Sequence, residues 1–144
     1  TRTMDKAFSL AGARVGYAIA GQTFLDGLAS FYAFLPQCSL FASIEALRDP
    51  AYAAENVQRV IGERERVWSA LRSHDADVLP STTNFLLVKT EFPDAAGRLE
   101  EMDILVSDLS NQLPAGFIRV SIGTHEENDA FLAAYTRMCK SDSR

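Results

Sequence analysis

The stretch TMDKAFSLAGARVG, residues 3–16, holds Lys6 and Arg14 in one short run, with Thr3 before the lysine and Gly12 and Gly16 on either side of the arginine. A lysine amine can bond to a carbonyl carbon and carry a proton. An arginine presents a planar fork of N–H donors that matches a phosphate dianion or a carboxylate. Flanking glycines allow the backbone a tight path there. A second arginine, Arg119, stands beside Ser121 in FIRVSIGT, residues 117–124, where the hydrophobic pattern alone does not explain it. Taken singly, each residue has an ordinary reading: a lysine near a chain end is usually solvated, and an arginine on a strand is usually an edge charge. His74 and His125 have no Cys or His partners at ligand spacing, so both read as surface histidines rather than zinc ligands. The surroundings of His125, THEEN, also suit a helix start. Cys38 and Cys139 lie far apart and make neither a metal spacing nor a disulfide framework, which reads as two reduced thiols of an intracellular protein.

The elements that would position these residues follow from hydrophobic period. RVGYAIAG (14–21) has the residue types of a short strand. TFLDGLASFYAFL (23–35) predicts a helix weakened by Gly27 and stopped before Pro36. Residues 37–48 predict a mostly buried helix. From Pro50 to about residue 76, Ala53, Val57, Val60/Ile61, Val67/Trp68 and Leu71 recur at three- and four-residue spacing. That is a long amphipathic helix, and its Glu, Arg and Gln residues predict a solvated face. Period then changes: NFLLVKT (84–90) predicts a strand, FPDAAGRLEEM (92–102) a short helix and DILVSDL (103–109) a second strand. In residues 117–124, Ile118, Val120 and Ile122 alternate with Arg119, Ser121 and Gly123 as in a half-buried strand. Thr124 followed by Glu127 has the spacing of a capping box opening a last helix.

With 144 residues the chain can bury a core, and its 47% hydrophobic and 23% charged content is that of a globular protein. The formal charge is −5 and the basic residues are scattered, which argues against nucleic acid as a partner. The apolar stretch at 30–47 is broken by Pro36, Gln37, serines and Glu45, so no membrane span is expected.

TMDKAFSLAGARVGY resembles the lysine segment of fold-type I pyridoxal-phosphate aminotransferases, nearest the histidinol-phosphate aminotransferase branch, whose members typically read Thr-Leu-Ser-Lys-Ala-Phe-Gly-Leu-Ala-Gly-Leu-Arg-Leu-Gly-Tyr. STTNFLLV (81–88) resembles the Asn-Phe strand of that family's small domain, and FIRVSIGTHEEN (117–128) its closing strand-turn-helix. The resemblance implies an α/β fold comprising the C-terminal part of the PLP-dependent transferase fold, namely the end of the large domain plus an α+β small domain. It implies residues 1–35 as a remnant of the large cofactor-binding domain, 36–49 as a connecting helix and 50–140 as the small domain. It implies PLP-dependent transamination between amino-acid and 2-oxo-acid substrates, in a cytoplasmic homodimer. Lys6 would hold the cofactor aldehyde and shuttle the substrate proton. Thr3 and Arg14 would bind the cofactor phosphate, and Arg119 the substrate carboxylate.

Three departures from the family pattern carry their own expectations. Asp5 stands where relatives have a serine that donates to the cofactor phosphate, and an ionised carboxylate accepts but cannot donate. Ser107, in ILVSD, stands where histidinol-phosphate aminotransferases commonly carry an arginine for the substrate phosphate. The ring-binding groups that precede the lysine in relatives are not in this sequence, so the isolated chain is expected to be an inactive fragment. The alternatives are a non-catalytic fold remnant or assembly module, and a PLP-dependent phospho-amino-acid decarboxylase relative.

Overall fold

A computed structural model describes residues 1–28, 34–74 and 76–141. The chain divides into two compact units, Thr1–Gln58 and Arg59–Arg144.

In the first unit, β1 (Arg2–Thr3) pairs antiparallel with β2 (Gly16–Tyr17), with Arg2 opposite Tyr17 and Thr3 opposite Gly16. The link between them is a turn followed by a 3-10 helix over Ala11–Ala13. Gly16 is needed here: a Cβ on it would stand 2.9 Å from the Arg2 carbonyl oxygen. Gly12 is not, since a Cβ there would meet nothing within 4 Å. The tight path instead rests on Ser9 and Arg14, with φ of 56° and 55°. The unit is anchored by buried Met4 and Val15, joined by a hydrogen bond from the Met4 N–H to the Val15 carbonyl (3.0 Å), and by buried Ala53. Helices α1 (Gln22–Leu28) and α2 (Gln37–Arg48) follow.

Two expectations are corrected in this unit. The strand foreseen over 14–21 is confined to Gly16–Tyr17, because pairing ends where β1 ends. The helix at 37–48 forms but is not mostly buried: Ser39 and Ser43 are its buried residues, while Leu40, Phe41 and Leu47 are exposed. The helix foreseen over 23–35 is seen as Gln22–Leu28, and its residues 29–33 lie outside the described residues.

Helix α3 runs Pro50–Arg72, and Pro50 at its first position needs no N–H partner. Within the second unit it contributes Val67 and Leu71, both fully buried. Four strands follow: β3 (Asp77–Val78), β4 (Phe85–Lys89), β5 (Ser107–Asp108) and β6 (Phe117–Ser121), in the order β3-β4-β6-β5 with every neighbouring pair antiparallel. Between them lies α4 (Ala95–Glu100), and α5 (His125–Ser141) closes the unit. The β4–β6 register sets Leu86 opposite Val120 and Val88 opposite Ile118 on the buried face, where Leu99, Phe131, Tyr135 and Met138 complete the core. The other face carries Phe85 opposite Ser121, Leu87 opposite Arg119 and Lys89 opposite Phe117. Strand alternation thus sends one parity inward and the other outward. The turn into β6 depends on Gly116, at φ 92°, where a Cβ would stand 2.7 Å from the Thr90 carbonyl oxygen.

The predicted strands at 84–90 and 117–124 form as β4 and β6. The strand foreseen over 103–109 shortens to Ser107–Asp108, and the helix over 92–102 to Ala95–Glu100. Strand β3 has no counterpart among the predicted elements; two residues carry no readable period. The solvated face of α3 also needs correction at Arg64, which is buried. It stands in the apolar stripe between Val60 and Val67, and its Nη1 donates to the Thr83 carbonyl oxygen at 3.0 Å. A guanidinium whose stem packs and whose head finds a carbonyl is compatible with burial.

Candidate active site

In the first unit the β1–β2 pair brings Thr3, Asp5, Lys6 and Arg14 onto one turn. The turn is closed by backbone bonds from Ser9 N–H to Lys6 carbonyl (3.0 Å) and from Leu10 N–H to Met4 carbonyl (3.1 Å). Lys6 lies on it with its side chain exposed. Thr3 Oγ1 accepts the Asp5 N–H at 3.2 Å, which leaves its own hydroxyl proton available to donate. Arg14 caps the 3-10 helix in the left-handed region, an uncommon conformation for a long side chain and one that clusters at functional sites. Its Nη1 donates to the Ala11 carbonyl oxygen (3.2 Å) and lies 3.6 Å from Asp5 Oδ2. The Asn56 Nδ2 reaches the Ala7 carbonyl oxygen at 3.5 Å, tying the turn to α3 within the same unit.

In the second unit Arg119 is central on the outward face of β6. It sits opposite Leu87 on one side and Ser107 on the other. Its Nη2 donates to Ser107 Oγ at 3.1 Å, and its guanidinium carbon lies 5.5 Å from the centroid of the Phe85 ring. The ring and the hydroxyl orient the fork without neutralising it. Arg119 and Ser107 also line a cleft of about 650 Å3, with Ile104 to Val106, Gly123 and Asn128 among its other walls. A guanidinium held beside a cleft, with no carboxylate in an ion pair with it among the described residues, is suited to holding a carboxylate. Sequence reasoning passes over Phe85 as a partner of Arg119; its place two residues before Leu87 on the same face is the available signal.

A second polar cluster ties α3 to the start of α5. Glu63 accepts from Asn128 Nδ2 (2.8 Å) and from Arg66 Nη2 (2.8 Å), and its Oε1 lies 2.9 Å from His125 Nδ1. Arg66 Nη1 also donates to Asp129 Oδ1 at 2.7 Å. Hydrogen bonds from Arg66, His125 and Asn128 hold the Glu63 carboxyl down at about 2. Bonding to Glu63 raises the His125 pKa; Arg66 opposes and Asp129 assists. The predicted capping box forms beside it: Thr124 N–H donates to Glu127 Oε2 (2.7 Å), and Glu127 N–H to Thr124 Oγ1 (3.3 Å). His125 is an exposed surface histidine at the first position of α5, as its sequence surroundings predict, and its ring also bonds to Glu63 of α3. Its Glu63 partner lies 62 residues away in sequence, beyond the reach of any local pattern, whereas Asp129 is four residues on.

The profile of the aminotransferase class I and II family matches residues 1–134. The chain is 38% identical to a histidinol-phosphate aminotransferase of Chromohalobacter salexigens, over 97% of this chain and 42% of that protein. It is 44% identical to the one from Thermococcus kodakarensis, over 92% of this chain and 38% of that protein. The crystal structure of histidinol-phosphate aminotransferase from Sinorhizobium meliloti, in complex with pyridoxal-5'-phosphate, superposes with a TM-score of 0.77 at 26% identity, over 97% of this chain and 40% of the other. The Clostridium acetobutylicum enzyme gives 0.82 at 25% identity, over 97% and 45%. The chain therefore belongs to the class I and II aminotransferases, and its fold is the C-terminal part of the fold-type I architecture. It spans about two fifths of the length of the curated relatives it matches.

The donors on the Lys6 turn fit pyridoxal phosphate in kind. An exposed amine suits the aldehyde, and a hydroxyl with a free proton and an exposed guanidinium suit the phosphate. Asp5, on the same turn, is of the opposite sign.

Proposed function

We propose that this chain is the lysine-bearing and substrate-carboxylate-binding portion of a PLP-dependent enzyme that transfers an amino group between an amino acid and a 2-oxo acid. The observation that carries the reading is the β1–β2 pairing, which gathers Thr3, Lys6 and Arg14 on one turn. The cofactor, when bound, supplies an electron sink for the carbon that loses its proton. Lys6 Nζ would hold the cofactor through its aldehyde and would accept and return the substrate's α-proton. Thr3 Oγ1 and Arg14 would donate to its phosphate, and the backbone bonds of the turn keep the segment that carries both ordered.

Arg119 binds the substrate α-carboxylate through its fork, with Phe85 and Ser107 fixing the plane of the guanidinium. At position 107 a hydroxyl offers a hydrogen bond but no charge, so the substrate's side chain meets no cation there. That favours an amino acid without a phosphate group. Residues 1–35 belong, on this reading, to the large domain. The exposure of Tyr17, Ile19, Phe24 and Phe34 supports it, since faces so apolar are normally covered by further protein. The same exposure supports the expectation that the isolated chain does not turn over.

The test is incubation of the 144-residue chain with pyridoxal phosphate, reduction with borohydride, and peptide mapping by mass. A reduced adduct concentrated on Lys6 is expected. Equal labelling of Lys6, Lys89 and Lys140 would overturn the assignment. A transamination assay on the same material should show no turnover, and robust activity would refute the need for further chain.

A further inference from the structure

Every other charged group on the Lys6 turn suits an anionic ligand, yet Asp5 holds a carboxylate against the arginine meant for it. Asp5 Oδ2 lies 3.6 Å from Arg14 Nη1, with the Asp5 side chain 23% exposed and the Arg14 side chain 77% exposed. The carboxylate is fixed at its base, because the Asp5 N–H donates to Thr3 Oγ1. Arg14 is fixed too, by its left-handed backbone and by the bond from Nη1 to the Ala11 carbonyl. One side of the guanidinium therefore already faces a negative charge. At 3.6 Å the contact is an ion pair without a tight hydrogen bond, so an incoming anion could displace it, but only against like-charge repulsion.

We propose that Asp5 is a built-in counter-ion of Arg14 that sets the preference of the Lys6 site between phosphorylated and unphosphorylated aldehydes. The inference rests on the assignment of Thr3, Lys6 and Arg14 as a cofactor cradle. With Asp5 in place, Lys6 and Arg14 present a single net positive charge to a phosphate dianion, and the phosphate adds little to binding. Removing the Asp5 charge restores a second positive charge and a preference for phosphate. Asp5 is thus a specificity-determining residue that acts through Arg14, and it needs no contact with the aldehyde.

The experiment compares pyridoxal phosphate with pyridoxal on the full chain. Condensation of the Lys6 amine with either aldehyde releases water, and borohydride supplies the hydride that makes the C–N link permanent for mass spectrometry. The native chain, Asp5→Asn, Asp5→Ser, Arg14→Ala and the double variant Asp5→Asn/Arg14→Ala are titrated with each aldehyde. In Asp5→Asn and Asp5→Ser, half-maximal labelling of Lys6 by pyridoxal phosphate should need about tenfold less ligand than in the native chain, with pyridoxal unchanged. The gain should vanish in the double variant, which shows that it runs through Arg14. Selective Lys6 labelling with the same pyridoxal phosphate titration in native and Asp5 variants would overturn the counter-ion while leaving the cradle standing. A gain that persists without Arg14, or that applies equally to pyridoxal, would overturn it as well. Labelling without preference for Lys6 in every variant would overturn both the cradle and the inference.

Discussion

Glu63→Gln tests the polar cluster that ties α3 to α5 and does so through pH. The substitution keeps the side chain's shape and one acceptor while removing the charge that Arg66, His125 and Asn128 share. The Glu63 carboxyl sits at about 2 against an ordinary 4.5. At about 1.4 kcal/mol per tenfold, that difference is worth at most about 3.5 kcal/mol. Its side chain is 21% exposed and water screens part of this, so a loss of about 2 kcal/mol is expected near pH 6. The sign follows from each group's direction. A carboxyl with a lowered folded value contributes fully above about 4.5 and loses that contribution as pH falls toward about 2. A histidine with a raised folded value contributes fully below its ordinary 6.5 and loses it as pH rises through the elevated value. The cluster should therefore stabilise most between about pH 4.5 and 6.5 and weaken on the alkaline side. Urea unfolding followed by the fluorescence of Trp68, the sole tryptophan, reads the second unit. In a His74→Asn background, which removes the other histidine, native stability should fall as pH rises above about 6.5, and Glu63→Gln should flatten that fall. An equal loss in Glu63→Gln at about pH 6 and about pH 8.5, with the alkaline slope intact, would refute the coupling of His125 to Glu63.

Gly116→Ala should cost about 2–4 kcal/mol, because φ of 92° disfavours any side chain and the new Cβ would stand 2.7 Å from the Thr90 carbonyl. The same urea titration checks it, and a loss below about 1 kcal/mol would show that the turn relaxes freely. With a thiol reagent under native conditions, exposed Cys38 should react well before Cys139, whose thiol is pushed up chiefly by burial. Peptide mapping at partial modification distinguishes the two, and equal rates would contradict the placement of Cys139.

The elements that are legible in the sequence are those with enough residues to show a period. Alternation of Ile118 and Val120 around Arg119 places β6 and its two faces correctly, and the Thr124–Glu127 spacing places the start of α5. The stripe Ala53, Val67, Leu71 marks α3, and Arg64 falls within it by spacing; its charge assigns it to solvent, because nothing local announces the carbonyl nineteen residues on that receives it. Strand β3, with two residues, is too short to carry any pattern. At the site, Lys6, Thr3 and Arg14 are found through resemblance, and the expectation that they share one turn cannot be read from residue types alone. The 3.6 Å approach of Asp5 to Arg14 depends on the left-handed backbone at Arg14, which nothing in local composition announces.

The outward placement of Arg119 has a consequence for how this sheet can change over generations. Arg119 lies between Ile118 and Val120, each paired with a core residue of β4. Shifting β6 by one position would bury the guanidinium and expose both hydrophobic residues at once. Selection for a sealed core therefore also guards the direction in which Arg119 points, without any selection on what it meets. A lineage could lose the arginine's identity through a point mutation, yet whatever residue replaced it would still point at the same place. The address outlives its occupant, and the outward row of β6 stays available for a new specificity as long as the fold persists.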